Sequence, residues 1–311
     1  MKDFRFGSVE VSQQKRRLEL DIIGGIEEFV EGEEEKIKEF FEGKEAKVAT
    51  AGLEIPDHKD WYKEGHVTVP YDQEGCGACW AFSTAAAVES LASISGYDKE
   101  LTEYSVQQLI DCDTTNYGCG GGWMYEGFAF VSEHGILKKD DYSRFSHSHH
   151  VCRVKEEELK QKNHIKDIGY VEHDGRYNEE LRELLQEQPI SIGIYSTGRL
   201  MHYRDGILTE KYLKCSKSDN EVNHGVLLVG YGSTDDSSNE SDKAKGSKCK
   251  NYWIVRNSWG SDWGHDGFFK LCADGLGDKD TPLGTCLINK YATWPTMDKK
   301  DINPDDVEWE D

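Results

Sequence analysis

No run in the 311-residue chain approaches the roughly eighteen consecutive apolar residues that a membrane-spanning helix requires, so no membrane partner is expected. Basic charge is also short: 37 Lys and Arg stand against 59 Asp and Glu, for a net charge of -22. Without a broad cationic face to release phosphate counterions, nucleic acid is not expected as a partner either. Residues 1–54 contain no cysteine, the chain has no internal repeat, and the opening MKDFRFGSVEVSQQKRR lacks the apolar centre of a secretory signal.

Cysteine is abundant elsewhere. Nine occur, at positions 76, 79, 112, 119, 152, 215, 249, 272 and 286, more than a reduced cytosolic enzyme usually carries. A chain of this length can bury its core without covalent help, as one large domain or two smaller ones. In an oxidising compartment four bridges would use eight cysteines and leave one thiol, which needs a reason of its own. The alternative is a set of scattered buried cysteines in a cytosolic protein. The oxidising reading conflicts with the missing signal, and implies that Met1 is not the first residue of the precursor.

Residues 1–54 form a charge-rich extension in which Ile26, Phe29, Val30, Ile37, Phe40 and Phe41 recur at roughly helical spacing. Gly32 and Gly43 weaken that pattern, and a solvated acidic extension fits equally well. From Ile55 the texture changes. The Ala-dense run WAFSTAAAVESLASIS predicts a mostly buried helix, with shorter helices around SVQQLIDC and WMYEGFAFVSEHG. Beyond residue 160, PISIGIY, HGVLLVGYG and NYWIVRNS are β-branched or aromatic runs closed by Gly, Asn or Ser. Helices followed by strands predict an α+β fold of two lobes with a cleft between them. The stretch 232–250 reads as a long polar loop carrying the glycosylation sequon at Asn239, and residues 296–311 as an acidic tail.

The stretch QEGCGACWAF admits three chemistries for Cys76 and Cys79. A redox couple wants a strand before the pair, and YDQEG is not one. A zinc site wants a second close pair or two histidines at ligand spacing; the candidate His147, His149 and His150 have no such companion. The third chemistry, one bridging cysteine beside one nucleophile, needs an imidazole, a group that orients it and an oxyanion donor. His224 in VNHGVLLVGYG and Asn257 in YWIVRNSWGSDWG supply the first two.

Together QEGCGACWAF, SVQQLIDC, YGCGGG, VNHGVLLVGYG and YWIVRNSWGSDWGHDG, in that order, resemble the signature blocks of the papain-like cysteine peptidases. The resemblance runs from IPDHKDW, which is similar to a mature N-terminus, to about Pro295, so 55–295 would be the peptidase domain. His224 falls within the roughly 130–150 residues that separate nucleophile and imidazole in such enzymes. Asn257 falls beyond it by about the length of the polar loop.

That resemblance implies a helical N-terminal lobe, an antiparallel barrel-like C-terminal lobe and peptide hydrolysis in the cleft, without metal or cofactor. It implies Cys79 as nucleophile at a helix N-terminus, where the macrodipole favours thiolate. His224 becomes its base and acid, Asn257 the imidazole's anchor, Trp259 a shield over that hydrogen bond, and Gln73 an oxyanion donor. Gly77, Gly121 and Gly122 become the cleft floor. Trp123, Met124, Gly193, Val222 and Gly225, with Tyr291 at the far end, become a pocket for a hydrophobic or aromatic side chain two residues upstream of the cut. Bridges Cys76–Cys119, Cys112–Cys152 and Cys215–Cys286 belong to the family pattern. Cys249 and Cys272 lie outside it, flank NYWIVRNS, and pair by elimination.

Polypeptide substrates and cystatin-type protein inhibitors are the implied partners, for a monomer that is lysosomal, vacuolar or secreted. Residues 1–54 take the place of an inhibitory prosegment, without a clear family motif. Three positions and one segment depart from the family pattern: Glu74 and Gly120 replace a common Gly and Asn, Ala78 a frequent Ser, and DYSRF a Tyr-Pro-Tyr segment. A carboxylate at position 74, beside the oxyanion site, is expected to slow acylation. Endopeptidase is the expected activity. The alternatives are an exopeptidase, because the histidines of HSHH resemble those of a cleft-blocking loop, and an inactive binding protein whose cleft the N-terminal segment fills.

Overall fold

The computed structural model describes residues 55–154, 167–170, 177–215, 222–234, 249–274 and 283–297. The expected helices of 1–54, the Asn239 sequon and all but the first residues of the acidic tail lie outside the described residues.

The Ala-rich run forms α1 (Cys79–Ser95), buried around almost its whole circumference. Small side chains and the lack of an internal Pro or Gly permit this, since a helix apolar on every side can only sit in a core. Its C-terminus closes on Gly96 in the left-handed conformation, whose N–H donates to Ser93 O. Two shorter helices complete the helical lobe. One is α2 (Val106–Cys112), with the Ser105 hydroxyl accepting from Gln108 N–H at its start; the other is α3 (Met124–His134).

The strand-like runs become β3 (Ile190–Ile194), β5 (His224–Ser233) and β6 (Asn251–Arg256) of one eight-stranded sheet. It is completed by β1 (Lys59–Asp60), β2 (Asp167–Tyr170), β4 (Ile207–Leu208), β7 (Phe268–Cys272) and β8 (Tyr291–Thr296). The strand order is β2-β8-β3-β5-β6-β7-β4, with β1 paired to β5. Pairing is antiparallel throughout except between β4 and β7. The division into a helical front and a sheet back is correspondingly incomplete. β1 crosses from the front of the chain into the sheet, while α4 (Tyr177–Leu184) and α5 (Glu210–Leu213) fall among the strands.

One contiguous core joins the lobes, with Trp80, Phe128, Trp253 and Phe269 among its largest members. The inter-lobe contact lies along α1 and is partly polar. Ser83 Oγ is 2.8 Å from both Val226 O in β5 and Ser191 Oγ in β3, and Ser191 Oγ lies 3.2 Å from Ser83 O. Ser83 stands one helical turn beyond Cys79, so this contact sets where the start of α1 meets the start of β5.

Candidate active site

Cys79 is the first residue of α1 and Ala78 its N-cap, which has no side-chain acceptor. The early helical N–H groups, orphaned by helix geometry, therefore remain open to a nearby anion. The backbone N–H groups of Gly225, Trp80 and Cys79 itself act on the sulfur and favour its ionised form. Burial acts more strongly the other way, and pushes the lone thiol up to about 11. Gly225 is the second residue of β5, so the strand that begins with His224 begins against this sulfur.

His224 is buried, and its Nε2 lies 2.7 Å from Asn257 Oδ1. The same oxygen accepts Ser258 N–H at 2.9 Å, which fixes the amide's orientation. Nε2 must then carry the hydrogen, leaving Nδ1 as the basic nitrogen. Trp259 lies face to face with the imidazole, centroids 5.1 Å apart at 22°, and Trp263 meets Trp259 edge-on at 5.0 Å. Burial lowers the lone imidazole to about 4, and the hydrogen bond to Asn257 opposes that.

Gln73 is fully buried and reaches the same loop. Its N–H donates to Ser258 O at 2.8 Å, Ser258 Oγ donates to its Oε1, and its Nε2 donates to Cys76 O at 2.9 Å. An amide nitrogen has two hydrogens, so one remains for another acceptor. A bridge between Asp72 and Trp259 extends the link. Glu74 is turned away: at φ 46° its carboxylate is largely exposed and lies 3.5 Å from His147 Nδ1. The charge expected to oppose acylation faces solvent and an imidazole.

Four cysteine pairs are bridged, Cys76–Cys119, Cys112–Cys152, Cys215–Cys286 and Cys249–Cys272, with Cα separations of 4.6, 4.7, 5.2 and 5.9 Å. Cys79 is the free cysteine among the described residues, and all nine are thereby accounted for.

The glycines expected on the cleft floor have an additional reason to be glycine. A Cβ on Gly77 would lie 2.6 Å from Cys119 O, and one on Gly122 would strike Asn116 Oδ1. Both absent side chains point into protein, so close packing beneath the loop already requires glycine there. Gly121, at φ 121°, turns the chain between them. Asn116 has no place in the sequence-based site, yet it shapes this loop: its Oδ1 accepts Trp123 N–H at 2.6 Å and its Nδ2 donates to Asp113 Oδ2 at 2.7 Å. An Asn two residues before a Gly-rich run was the available signal.

Trp123, Gly193, Val222, Gly225 and Tyr291 lie together. Gly193 pairs with Gly225 on one side and Tyr291 on the other, and Val222 Cγ1 would lie 2.6 Å from a Cβ at Gly193. Trp123 stands edge-on to Tyr291 with centroids 5.2 Å apart, and Met124 is buried beside it in sequence. The histidines of HSHH diverge. His147 faces Glu74, the His149 ring packs on Gly118, and His150 Nε2 lies 2.8 Å from Ser146 Oγ.

The family model described as papain family cysteine protease matches residues 55–296, and the chain belongs to that family. It is 34% identical to Zingipain-2 of Zingiber officinale over 252 residues, covering 80% of this chain and 100% of that one. Cysteine protease XCP2 of Arabidopsis thaliana is 35% identical over 246 residues, covering 79% of this chain and 62% of that one. Digestive procathepsin L 3 of Tenebrio molitor larval midgut aligns with TM-score 0.66 and 28% identity, over 81% of this chain and 74% of that chain. Bromelain protease from Ananas comosus, solved in complex with the E64 inhibitor, aligns with TM-score 0.64 and 29% identity, over 78% of this chain and all of that one.

Proposed function

We propose that the chain is a cysteine endopeptidase in which Cys79 attacks a peptide carbonyl and His224 moves the proton. The observation that carries this reading is the environment of Cys79. It is a thiol left unbridged when eight other cysteines pair, held at a helix N-terminus and facing the N–H of the residue after His224.

Burial opposes a lone thiolate and a lone imidazolium alike. Passing the thiol proton to His224 Nδ1 creates both ions with no change in net charge, and each then offsets the other's desolvation. The thiolate adds to the carbonyl carbon while the oxyanion takes hydrogen bonds from Cys79 N–H and the remaining Gln73 Nε2 hydrogen. The imidazolium then protonates the departing amine as the C–N bond breaks, leaving a thioester. A water gives one proton to His224 and its hydroxide to the thioester carbon; loss of the thiolate, stabilised again by the imidazolium, completes the cycle. Asn257 keeps the ring in the useful tautomer throughout, and Trp259 covers that hydrogen bond.

The pocket formed by Gly193, Val222, Tyr291 and Trp123 favours a hydrophobic or aromatic side chain two residues before the cut. Histidines that diverge and face the helical lobe favour internal cleavage over exopeptidase action. The prosegment reading of 1–54 is supported by a family match that begins at residue 55. Four bridges support a vacuolar, lysosomal or secreted setting.

The experiment is labelling of the full chain with an epoxide probe or iodoacetamide at mildly acidic pH, before and after acid incubation. Rapid modification of Cys79 with parallel loss of cleavage of an internally quenched peptide is expected. Cys79 reacting no faster than a free thiol in a short peptide, in both states, would overturn the proposal.

A further inference from the structure

A cavity open to solvent lies against the face of α1 formed by Phe82, Ala85, Ala86 and Glu89. It shares no residue with the proposed cleft, and that face differs from the one on which Ser83 meets β5. Arg256 and Glu89 are its deep charged groups, Val106 and Phe145 part of its walls, and Glu103 and Lys139 two more charged groups in its lining.

Arg256 is only 4% exposed. Its Nε donates to Thr68 O at 3.0 Å, and its Nη2 to Val69 O at 3.0 Å and Thr68 Oγ1 at 3.3 Å. Nη1 has no protein acceptor among the described residues. Glu89 reaches the guanidinium only indirectly. Thr68 Oγ1 accepts from Arg256 and donates to Glu89 Oε2 at 2.6 Å, while Glu89 Oε1 accepts Tyr104 N–H at 2.9 Å. Both oxygens of the buried acid are therefore engaged, and burial raises its pKa. Glu103 is likewise occupied, accepting from Lys139 Nζ at 2.9 Å, and Lys139 also donates to the Tyr71 hydroxyl. Glu89 and Glu103 both favour the charge on Arg256 from a distance, but neither touches it, so the Nη1 hydrogens are left for an acceptor that enters the cavity.

The walls specify the rest of the ligand. Phe82 and Phe145 stand edge to face, centroids 5.0 Å apart at 85°, and Ala85, Ala86 and Val106 add aliphatic surface. Such walls suit a flat apolar body. Arg256 and Lys139 balance Glu89 and Glu103 in formal charge, so a ligand with more than one charge of either sign would meet uncompensated groups. We propose that this cavity binds a small aromatic monocarboxylate, with the carboxylate on Arg256 Nη1 and the ring among Phe82, Val106 and Phe145. This does not depend on the peptidase reading.

The test uses the full chain with Cys79 capped by iodoacetamide, titrated at pH 6 by calorimetry with benzoate and with benzamide, its neutral counterpart. Saturable one-to-one binding of benzoate is expected, at least tenfold tighter than benzamide. Val106→Glu, which sets a carboxylate in the cavity wall, is expected to weaken benzoate at least tenfold. Intermolecular NOEs from benzoate to Val106 and Phe145 locate the site in the unmutated chain, so the test survives a variant that does not fold. Equal binding of benzoate and benzamide, no saturation by about 20 mM, undiminished binding by folded Val106→Glu, or NOEs only to other residues would each overturn the proposal.

Discussion

The Cys79 sulfur and the His224 imidazole are positioned by different kinds of structure. Cys79 is set by local geometry: a helix start three residues after a bridged cysteine, with N–H groups of its own turn around it. His224 is set by non-local pairing. Its strand lies between β3 and β6, its ring is held by an asparagine 33 residues later, and Trp259 covers it. One half of the pair can form with its own helix, and the other only when the sheet registers correctly. Ser83 joins the halves.

Variants that break this comparison are ordered by expected effect. Cys79→Ser should lower kcat/KM on a peptide substrate by about 10⁵-fold or more, since a hydroxyl gives up its proton far less readily than a thiol. His224→Ala should cost about 10³- to 10⁴-fold. It should also leave the thiol at its burial-raised value near 11, so alkylation at pH 6 falls by at least about two orders of magnitude. Alkylation unchanged in that variant would show that helix and backbone N–H groups alone ionise the sulfur, and would remove the imidazole from the first step.

Asn257→Ala and Gln73→Ala act on opposite halves, and each should cost about 10²-fold, mostly in kcat. They separate in the thiol's pH profile. Loss of Asn257 should shift it by freeing the ring, whereas loss of Gln73 should leave it in place. Ser83→Ala should cost about 1 kcal/mol of stability by denaturant titration, with a several-fold fall in kcat/KM. A stability loss with unchanged activity would mean that the lobes keep their alignment without this contact.

The smallest effect is one of pH, read in Cys79→Ser, where His224 titrates without its partner. Its folded pKa near 4 lies below the ordinary 6.5, so the unfolded chain binds more protons between those values. Stability should therefore rise from pH 4 to 6.5, and level off below pH 4, where the buried ring also takes a proton. A flat thermal-unfolding profile across that window, or an NMR titration of His224 near 6.5, would show that the ring is solvated.

Legibility followed the range of the interactions. α1, α2 and α3 were readable because Ala density and short runs free of Pro act within a few residues. β3, β5 and β6 were readable as runs, but their neighbours were not. IPDHKDW carries no strand pattern, yet Lys59–Asp60 pairs with β5, and Ile207–Leu208 lies parallel to β7. Gly77 and Gly122 were legible as necessary glycines but not for their interior contacts, since Cys119 O and Asn116 meet them only after the loop folds back. Ser83 and Arg256 carried no local mark at all.

The sequence by itself carried an odd number of cysteines, an Ala-rich helical run after Cys79, apolar runs beside His224 and Asn257, and five ordered blocks whose resemblance implied the class and the cysteine pairing. The odd thiol rests on covalent chemistry, and the helix and strand runs on local propensity. The tertiary structure alone decided which nitrogen of His224 faces outward, where the Glu74 charge points, and that a buried arginine borders an open cavity, because each depends on contacts between residues that only the completed packing brings within hydrogen-bond range.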